Sequence, residues 1–230
     1  MNAQLQNIWN LIYFLRPRKV LNAALIWVSY RISRILKRPI LWGMPISMSV
    51  EPTTSCNLRC PQCPSGLRSF SRPTGMLQGD LFAKLIDEQA STLWYLTLYF
   101  QGEPYLNPEF LEMVKYANQK GIYTATSTNA HYLSPKNAEA TVESGLNRLI
   151  ISIDGIDQDS YAHYRVGGNL DKVLEGTRNM VAAKKKLKGK HLHIVWQFIV
   201  FAHNESQIPE IQKLAKEIGV DELAIKTAQI

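Results

Sequence analysis

Six short apolar runs rich in β-branched and aromatic residues recur along the chain: Ser47 to Val50, Trp94 to Phe100, Ile122 to Thr128, Arg148 to Ile153, Leu192 to Phe201 and Glu222 to Lys226. Each has the length and composition of a strand. Between them the apolar period changes to that of a helix. Phe110, Leu111, Val114 and Ala117 share one helical face, with Asn107 placed to cap, Pro108 at the first position and Gly121 as the stop. Ser134-Pro135 opens a second helix that ends near Gly145, and Ile208, Ile211, Leu214, Ala215 and Ile218 form the inward face of a third, closed by Gly219. Strands alternating with helices predict an α/β fold with a parallel sheet and right-handed crossovers. The 230 residues carry no internal repeat or low-complexity tract and suffice for one substantial core. The expected division is an N-terminal segment, 1–45, and a main domain, 46–230.

The N-terminal segment departs from this pattern in both hydropathy and charge. Val20 to Tyr30 is an uncharged, largely apolar run, and Arg16, Arg18, Lys19, Arg31, Arg34, Lys37 and Arg38 lie around it with no acidic residue before Glu51. Elsewhere acidic and basic groups balance, so the formal +7 of the whole chain resides here. The apolar run falls short of the roughly 20 residues of a membrane span. A secretory signal is disfavoured, because the first charge follows the first apolar stretch and no small-residue cleavage site comes after it. Two readings remain: a basic amphipathic helical segment lying at an anionic membrane surface, with Trp27 and Tyr30 at the interface, or a helix packed across the bottom of the fold with a solvated basic edge. Nucleic-acid binding is a weaker use of this charge and is not expected, since aromatics and cations do not alternate as in a recognisable module.

The chain has three cysteines, all within Cys56-Asn57-Leu58-Arg59-Cys60-Pro61-Gln62-Cys63, just after the first strand. Thiolates are the usual protein ligands of iron-sulfur clusters, and three of them can hold three irons of a 4Fe-4S cube while the fourth stays open. Zinc would require a fourth ligand, and the five histidines lie far downstream. Disulfides are disfavoured by the odd count and by a window too short to staple the domain. A non-catalytic iron-sulfur protein for electron transfer or redox sensing is the alternative to an enzyme, although it would normally supply a fourth cysteine.

The C-x-x-x-C-x-x-C loop resembles the signature of the radical S-adenosylmethionine (radical SAM) superfamily. Gln101-Gly102-Glu103-Pro104, after the second strand, is similar to that family's Gly-Gly-Glu-Pro loop. Asn129 lies in a Thr-Asn-Gly-like stretch, Thr128-Asn129-Ala130. Ile151-Ser152-Ile153-Asp154-Gly155, followed by Tyr164-Arg165, looks like the Ser-x-Asp-Gly and Tyr-Arg pair of SPASM-type members. Two residues depart from the pattern: Gln62 stands where an aromatic often faces the adenine, and Gln101 replaces the first glycine.

The resemblance spans about residues 46–230 and implies a partial (β/α)6 TIM-like barrel. It implies a 4Fe-4S cluster on Cys56, Cys60 and Cys63, S-adenosylmethionine as cofactor, and reductive release of a 5'-deoxyadenosyl radical. The cofactor contacts carried over are the backbone of Gln62, the Gly102-Glu103-Pro104 loop with Glu103 on the methionine ammonium, Asn129, and Ser152, Asp154 and Arg165 toward the carboxylate or ribose. Each position also has a plain structural use: Gly102 to Pro104 and Asp154-Gly155 as turns, Asn129 as a loop residue, and Arg165 as a surface cation. What unites them is their order, each just beyond a strand. The implied partners are an electron donor such as flavodoxin or ferredoxin and a peptide or lipid-linked substrate. The expected location is cytoplasmic, with peripheral contact at the inner membrane face if the first reading of the N-terminus holds. A cysteine-rich extension past Ile230 is also implied.

Overall fold

A computed structural model describes residues 3–228. Two helices come first, α1 (Ala3–Tyr13) and α2 (Pro17–Leu36), followed by β1 (Ser47–Ser49). Next come α3 (Pro64–Leu67), α4 (Gly79–Gln89), β2 (Tyr95–Thr97), α5 (Phe110–Gln119), β3 (Tyr123–Thr128), α6 (Pro135–Glu143) and β4 (Arg148–Ser152). The chain continues through α7 (Gln158–Tyr164), α8 (Leu170–Lys186), β5 (His193–Val200), α9 (Ile208–Ile218) and β6 (Glu222–Thr227). The strands form one six-stranded sheet in sequential order, every neighbouring pair parallel. Helical crossovers between adjacent parallel strands build an open (β/α)6 barrel and place every strand's C-terminal end on one rim.

The core lies between the sheet and its helices. Leu96, Leu149, Ile151 and Trp196 from the strands meet Phe82, Phe110, Val173 and Ile211 from the helices, all essentially solvent-free. Trp196 buries its indole and still donates Nε1–H to Thr177 Oγ1 at 3.1 Å, so its polar atom carries no desolvation penalty. Ser134 caps α6 by accepting from Asn137 N, and Gly219 ends α9 in the left-handed region at φ 88.

Asn107 caps the turn that leads into α5: its backbone is extended, its Oδ1 accepts from Glu109 N and its carbonyl from Phe110 N, while its Nδ2 donates to Pro52 O and Leu77 O. The regular helix begins at Phe110, and a single 3-10 turn at Pro104–Leu106 precedes the cap. One expectation requires correction. The second strand is shorter than its apolar run, because after Leu98 the chain leaves the ladder and bends toward Thr53.

The N-terminal helices behave differently from each other. α1 lies across the base of the barrel. Asn7 Oδ1 accepts from the Tyr123 hydroxyl, Trp94 Nε1 donates to Leu11 O, Asn10 Nδ2 reaches Lys190 O and His191 O, and Phe14 packs edge-on against Tyr123. No α2 side chain belongs to either apolar cluster of described residues. No described helix is long and apolar enough to cross a membrane.

Candidate active site

Every strand ends on the same rim, so the loops that follow β1 to β5 converge there. A cavity of about 240 Å³ opens at this rim, lined by Cys56, Cys60 and Cys63 from the first loop, Gln101 to Glu103 from the second, Thr128 and Asn129 from the third, and Ser152 and Arg165 from the fourth connection. Parallel α/β folds place their ligands at this end.

The cysteine loop is held by packing and by main-chain bonds. Cys63 N bonds Cys60 O, Arg59 N bonds Val166 O, and α3 starts at Pro64 directly after the third cysteine. Gly66 lets α3 approach, since a Cβ there would stand 2.5 Å from Cys60 O. All three thiols are free. Burial pushes the Cys56 thiol up to about 11, and burial also raises Cys60 despite the nearby Arg165 cation. Neutral buried thiols of this kind ionise when a metal centre binds and release their protons. Among the described residues, no three His, Cys, Asp or Glu side chains converge on a single ion.

Glu103 is the electrostatic centre of the cavity. Its carboxylate accepts from Thr128 Oγ1 at 2.8 Å, Asn129 N at 2.8 Å and Tyr105 N at 3.3 Å. It is only 2% exposed, and among the described residues no cation pairs with it. Burial therefore raises its pKa to about 7, against three hydrogen bonds that favour the ionised form. Gly102 makes the turn into Glu103 at φ +79, and a Cβ at that position would lie 2.2 Å from Thr53 O. Gly102 N donates to Ser65 Oγ, and Glu103 N donates to Ser55 O, which ties this loop to the cysteine loop.

The structure gathers most of the residues expected from the sequence, but not all by direct contact. Cys56, Cys60, Cys63, Gly102, Glu103, Asn129, Ser152 and Arg165 line the cavity. Pro104 is buried behind it as the start of the 3-10 turn. Asp154 is fully buried and faces away, accepting from Arg165 Nε at 2.6 Å and from Ile199 N at 2.7 Å. It therefore aims Arg165, whose guanidinium reaches within 4.0 Å of Cys60 Sγ; burial alone would lower the Arg165 pKa, but Asp154 outweighs it and holds the charge firmly. The Gln62 side chain is exposed and does not line the cavity. Asn129 donates to Asn57 Oδ1 at 2.8 Å and sits 3.9 Å from Cys56 Sγ.

Three residues gain a place here that motif matching alone does not give. Thr128 holds Glu103, Ser65 holds Gly102, and Gln101 Oε1 accepts from the Cys63 thiol at 3.3 Å. Only Thr128 had a usable signal, standing beside Asn129 at the end of a strand.

A family model described as the radical SAM superfamily matches residues 50–218. The chain belongs to the radical SAM superfamily. Its relatives include the AdoMet-dependent heme synthase of Methanosarcina barkeri, 29% identical over 176 residues that cover 76% of this chain and 48% of that protein. The PqqA peptide cyclase of Gluconobacter oxydans is 28% identical over 187 residues, 80% of this chain and 50% of the relative. This radical SAM chain spans about half the length of the curated relatives it matches. In fold it resembles Streptococcus suis SuiB bound to S-adenosylmethionine, with a TM-score of 0.69 at 15% identity over 87% of this chain and 45% of SuiB. SuiB bound to its precursor peptide SuiA gives the same TM-score at 14% identity, over 87% of this chain and 43% of SuiB.

Membership in the superfamily implies an iron-sulfur cluster and S-adenosylmethionine, and the residues of this radical SAM chain fit both. The cavity offers three thiols without a disulfide, and beside them a buried carboxylate that no described cation pairs with, Arg165 being paired with Asp154. A cationic amine is the ligand such a carboxylate lacks.

Proposed function

We propose that this chain is the catalytic core of an enzyme that holds a 4Fe-4S cluster on Cys56, Cys60 and Cys63 and cleaves S-adenosylmethionine to start a radical reaction on a peptide. When bound, the cluster supplies the electron that breaks a carbon-sulfur bond of S-adenosylmethionine and frees a 5'-deoxyadenosyl radical. The observation that carries the reading is Glu103: a buried, hydrogen-bonded carboxylate in the same cavity as all three thiols, with no ion-pair partner among the described residues because the one cation lining the cavity, Arg165, is paired with Asp154. Glu103 accepts from the methionine ammonium, held in place by Thr128, Gly102 and the Pro104 turn. Arg165, aimed by Asp154, and Ser152 would hold the carboxylate or ribose, Asn129 would add a donor beside Cys56, and the Gln62 main chain would serve the adenine. A flavodoxin or ferredoxin delivers the electron.

A peptide substrate is supported by relatives named for peptide chemistry, the PqqA peptide cyclase in sequence and SuiB with its precursor SuiA in fold. The Ser-x-Asp-Gly and Tyr-Arg features support the SPASM-type subgroup within the same proposal. The same proposal divides the chain into residues 1–45 and a core from 46 onward, and places it in the cytoplasm with the N-terminal segment at the inner membrane face. A lipid-linked substrate is the second reading, favoured by the exposed apolar residues of α1 and α2.

The test begins with anaerobic reconstitution. About four irons per chain are expected, with a brown absorbance that dithionite bleaches, both lost when Cys56, Cys60 and Cys63 are replaced by Ala. Stoichiometric zinc without iron in protein purified free of oxygen would overturn the proposal.

A further inference from the structure

The amphipathicity of α2 is inverted. Asn22, Ile26, Ser29 and Ser33 recur at helical spacing on one face, and that face is covered by the returning segment 37–46. Asn22 brackets Met44, donating to its carbonyl and accepting from its amide at 2.8 Å each. Ser33 does the same with Ile40, and Gly43 abuts Ile26. Asn22, Ser29 and Ser33 are thus turned toward the returning segment, while several large apolar side chains of the helix face outward among its arginines. Leu21, Trp27 and Ile35 are 62%, 60% and 78% exposed, and the returning segment adds Leu41 and Trp42 at 84% and 51%.

An apolar surface of this extent is rare on a protein without a partner for it. Its rim identifies the partner. Arg16, Arg18, Arg31, Arg34, Lys37 and Arg38 are all exposed, and among the described residues none forms an ion pair. The Arg31 and Arg34 guanidiniums lie over the Trp27 and Tyr30 rings. Aromatics at the boundary, aliphatics between them and cations without a single acid match an anionic bilayer surface.

We propose that α2 and segment 37–46 dock the chain onto anionic lipid with the cavity facing away from the bilayer. The orientation comes from the sheet. α1 and the start of α2 contact residues at or before the strands' N-terminal ends, including Trp94, Gly121, Tyr123 and Lys190. The cysteines, Glu103 and Asn129 follow the C-terminal ends, separated from the base by the length of a strand such as β3, about 20 Å. A substrate therefore arrives from water, which selects the peptide over a lipid anchored in the same membrane. This selection rests on the cavity being catalytic; the docking does not.

The test uses the reconstituted chain with vesicles of phosphatidylcholine, with and without phosphatidylglycerol. Trp9, Trp27 and Trp42 are exposed on the N-terminal elements, so anionic vesicles are expected to shift tryptophan emission to the blue and to carry the protein down on sedimentation. Raising salt should release it, and the triple variant Arg31→Glu, Arg34→Glu, Arg38→Glu should bind at least tenfold more weakly. Trp27→Glu should also weaken binding, and both variants should retain the cluster. Equal binding to neutral vesicles would overturn the proposal. So would absence of vesicle binding with dimers, seen by light scattering, that Trp27→Glu dissolves. Orientation is read with Phe100→Trp in a chain whose Trp9, Trp27 and Trp42 are Phe, as the difference from the same chain with Phe100 intact so that the emission of Trp94 and Trp196 cancels, since Phe100 is 73% exposed at the cavity. Lipids brominated in their acyl chains should leave that tryptophan unquenched; strong quenching would reverse the orientation and restore the lipid-linked substrate.

Discussion

At the scale of single residues, Glu103 makes the sharpest statement about pH. Its pKa in the folded protein is raised to about 7, above the 4.5 of the free side chain, so between those values the native chain holds a proton that the unfolded chain has released. Stability before cofactor binding should therefore fall as pH rises from about 4.5 to 7, by on the order of 3 kcal/mol, and stay lower above that range. Glu103→Gln cannot ionise, and its single oxygen keeps an acceptor either for Thr128 and Tyr105 or for Asn129, which donate to different carboxylate oxygens in the wild type. Urea unfolding at pH 5 and pH 8 should show the wild type losing that amount relative to the variant; parallel profiles would refute the assignment. Gln101 supports a second prediction. A thiolate at Cys63 would take a hydrogen bond from the flipped Gln101 amide, and hydrogen bonds to sulfur raise cluster potentials. Gln101→Gly should lower the midpoint potential by tens of millivolts in a redox titration, and an unchanged potential would remove Gln101 from the site. Order along the sequence was enough to place the cysteines, Glu103, Asn129, Ser152 and Arg165 at one cavity. It could not tell that Asp154 points behind Arg165 or that the Gln62 side chain faces solvent, because side-chain direction in a loop follows no period.

At the scale of elements, all six strands were legible, since each is a bounded run of β-branched and aromatic residues. A boundary failed where tertiary contacts override local preference. The second strand ends at Thr97 because Gly102 must reach Thr53, whereas Asn107 caps the turn into α5 with its Oδ1 while its Nδ2 ties it to Pro52 and Leu77. The long helix α8 has a weaker signature, with Gly176 and Thr177 buried at its middle so that the Ala130 carbonyl can approach. Gly102 carries the element-scale prediction. Gly102→Ala combines a positive φ with a Cβ 2.2 Å from Thr53 O, and should cost about 2 to 5 kcal/mol and impair cluster loading. Urea unfolding and iron content read both effects; a change below about 0.5 kcal/mol would mean that the two loops are not locked together.

At the scale of the whole molecule, the sequential parallel sheet followed from strand-helix alternation and crossover handedness. The N-terminus did not yield in the same way. The sequence left surface helix and base packing open, and the two helices divide them: α1 packs across the base, whereas α2 turns its apolar side out. Which face of α2 is inward depends on segment 37–46 folding back over Asn22 and Ser33, a tertiary event without a periodic signature. Phe14→Ala should therefore destabilise the fold by about 3 kcal/mol, since Phe14 packs on Tyr123 and Ala125, while Trp27→Ala should change stability by less than about 0.5 kcal/mol. Comparable losses in thermal or urea unfolding would place α2 in the core.

The central claim is that three thiols and one buried carboxylate make a single site for cleaving S-adenosylmethionine. Its most direct measurement is 5'-deoxyadenosine released by the reconstituted, dithionite-reduced chain, detected by mass spectrometry. The wild type should form it slowly without any substrate, the triple cysteine variant should form none, and Glu103→Gln should bind S-adenosylmethionine about 5- to 150-fold more weakly, the equivalent of about 1 to 3 kcal/mol for a lost charged hydrogen bond. An intact, reducible cluster that neither binds S-adenosylmethionine nor yields deoxyadenosine would contradict the account and mark the chain as an electron-transfer or redox-sensing protein.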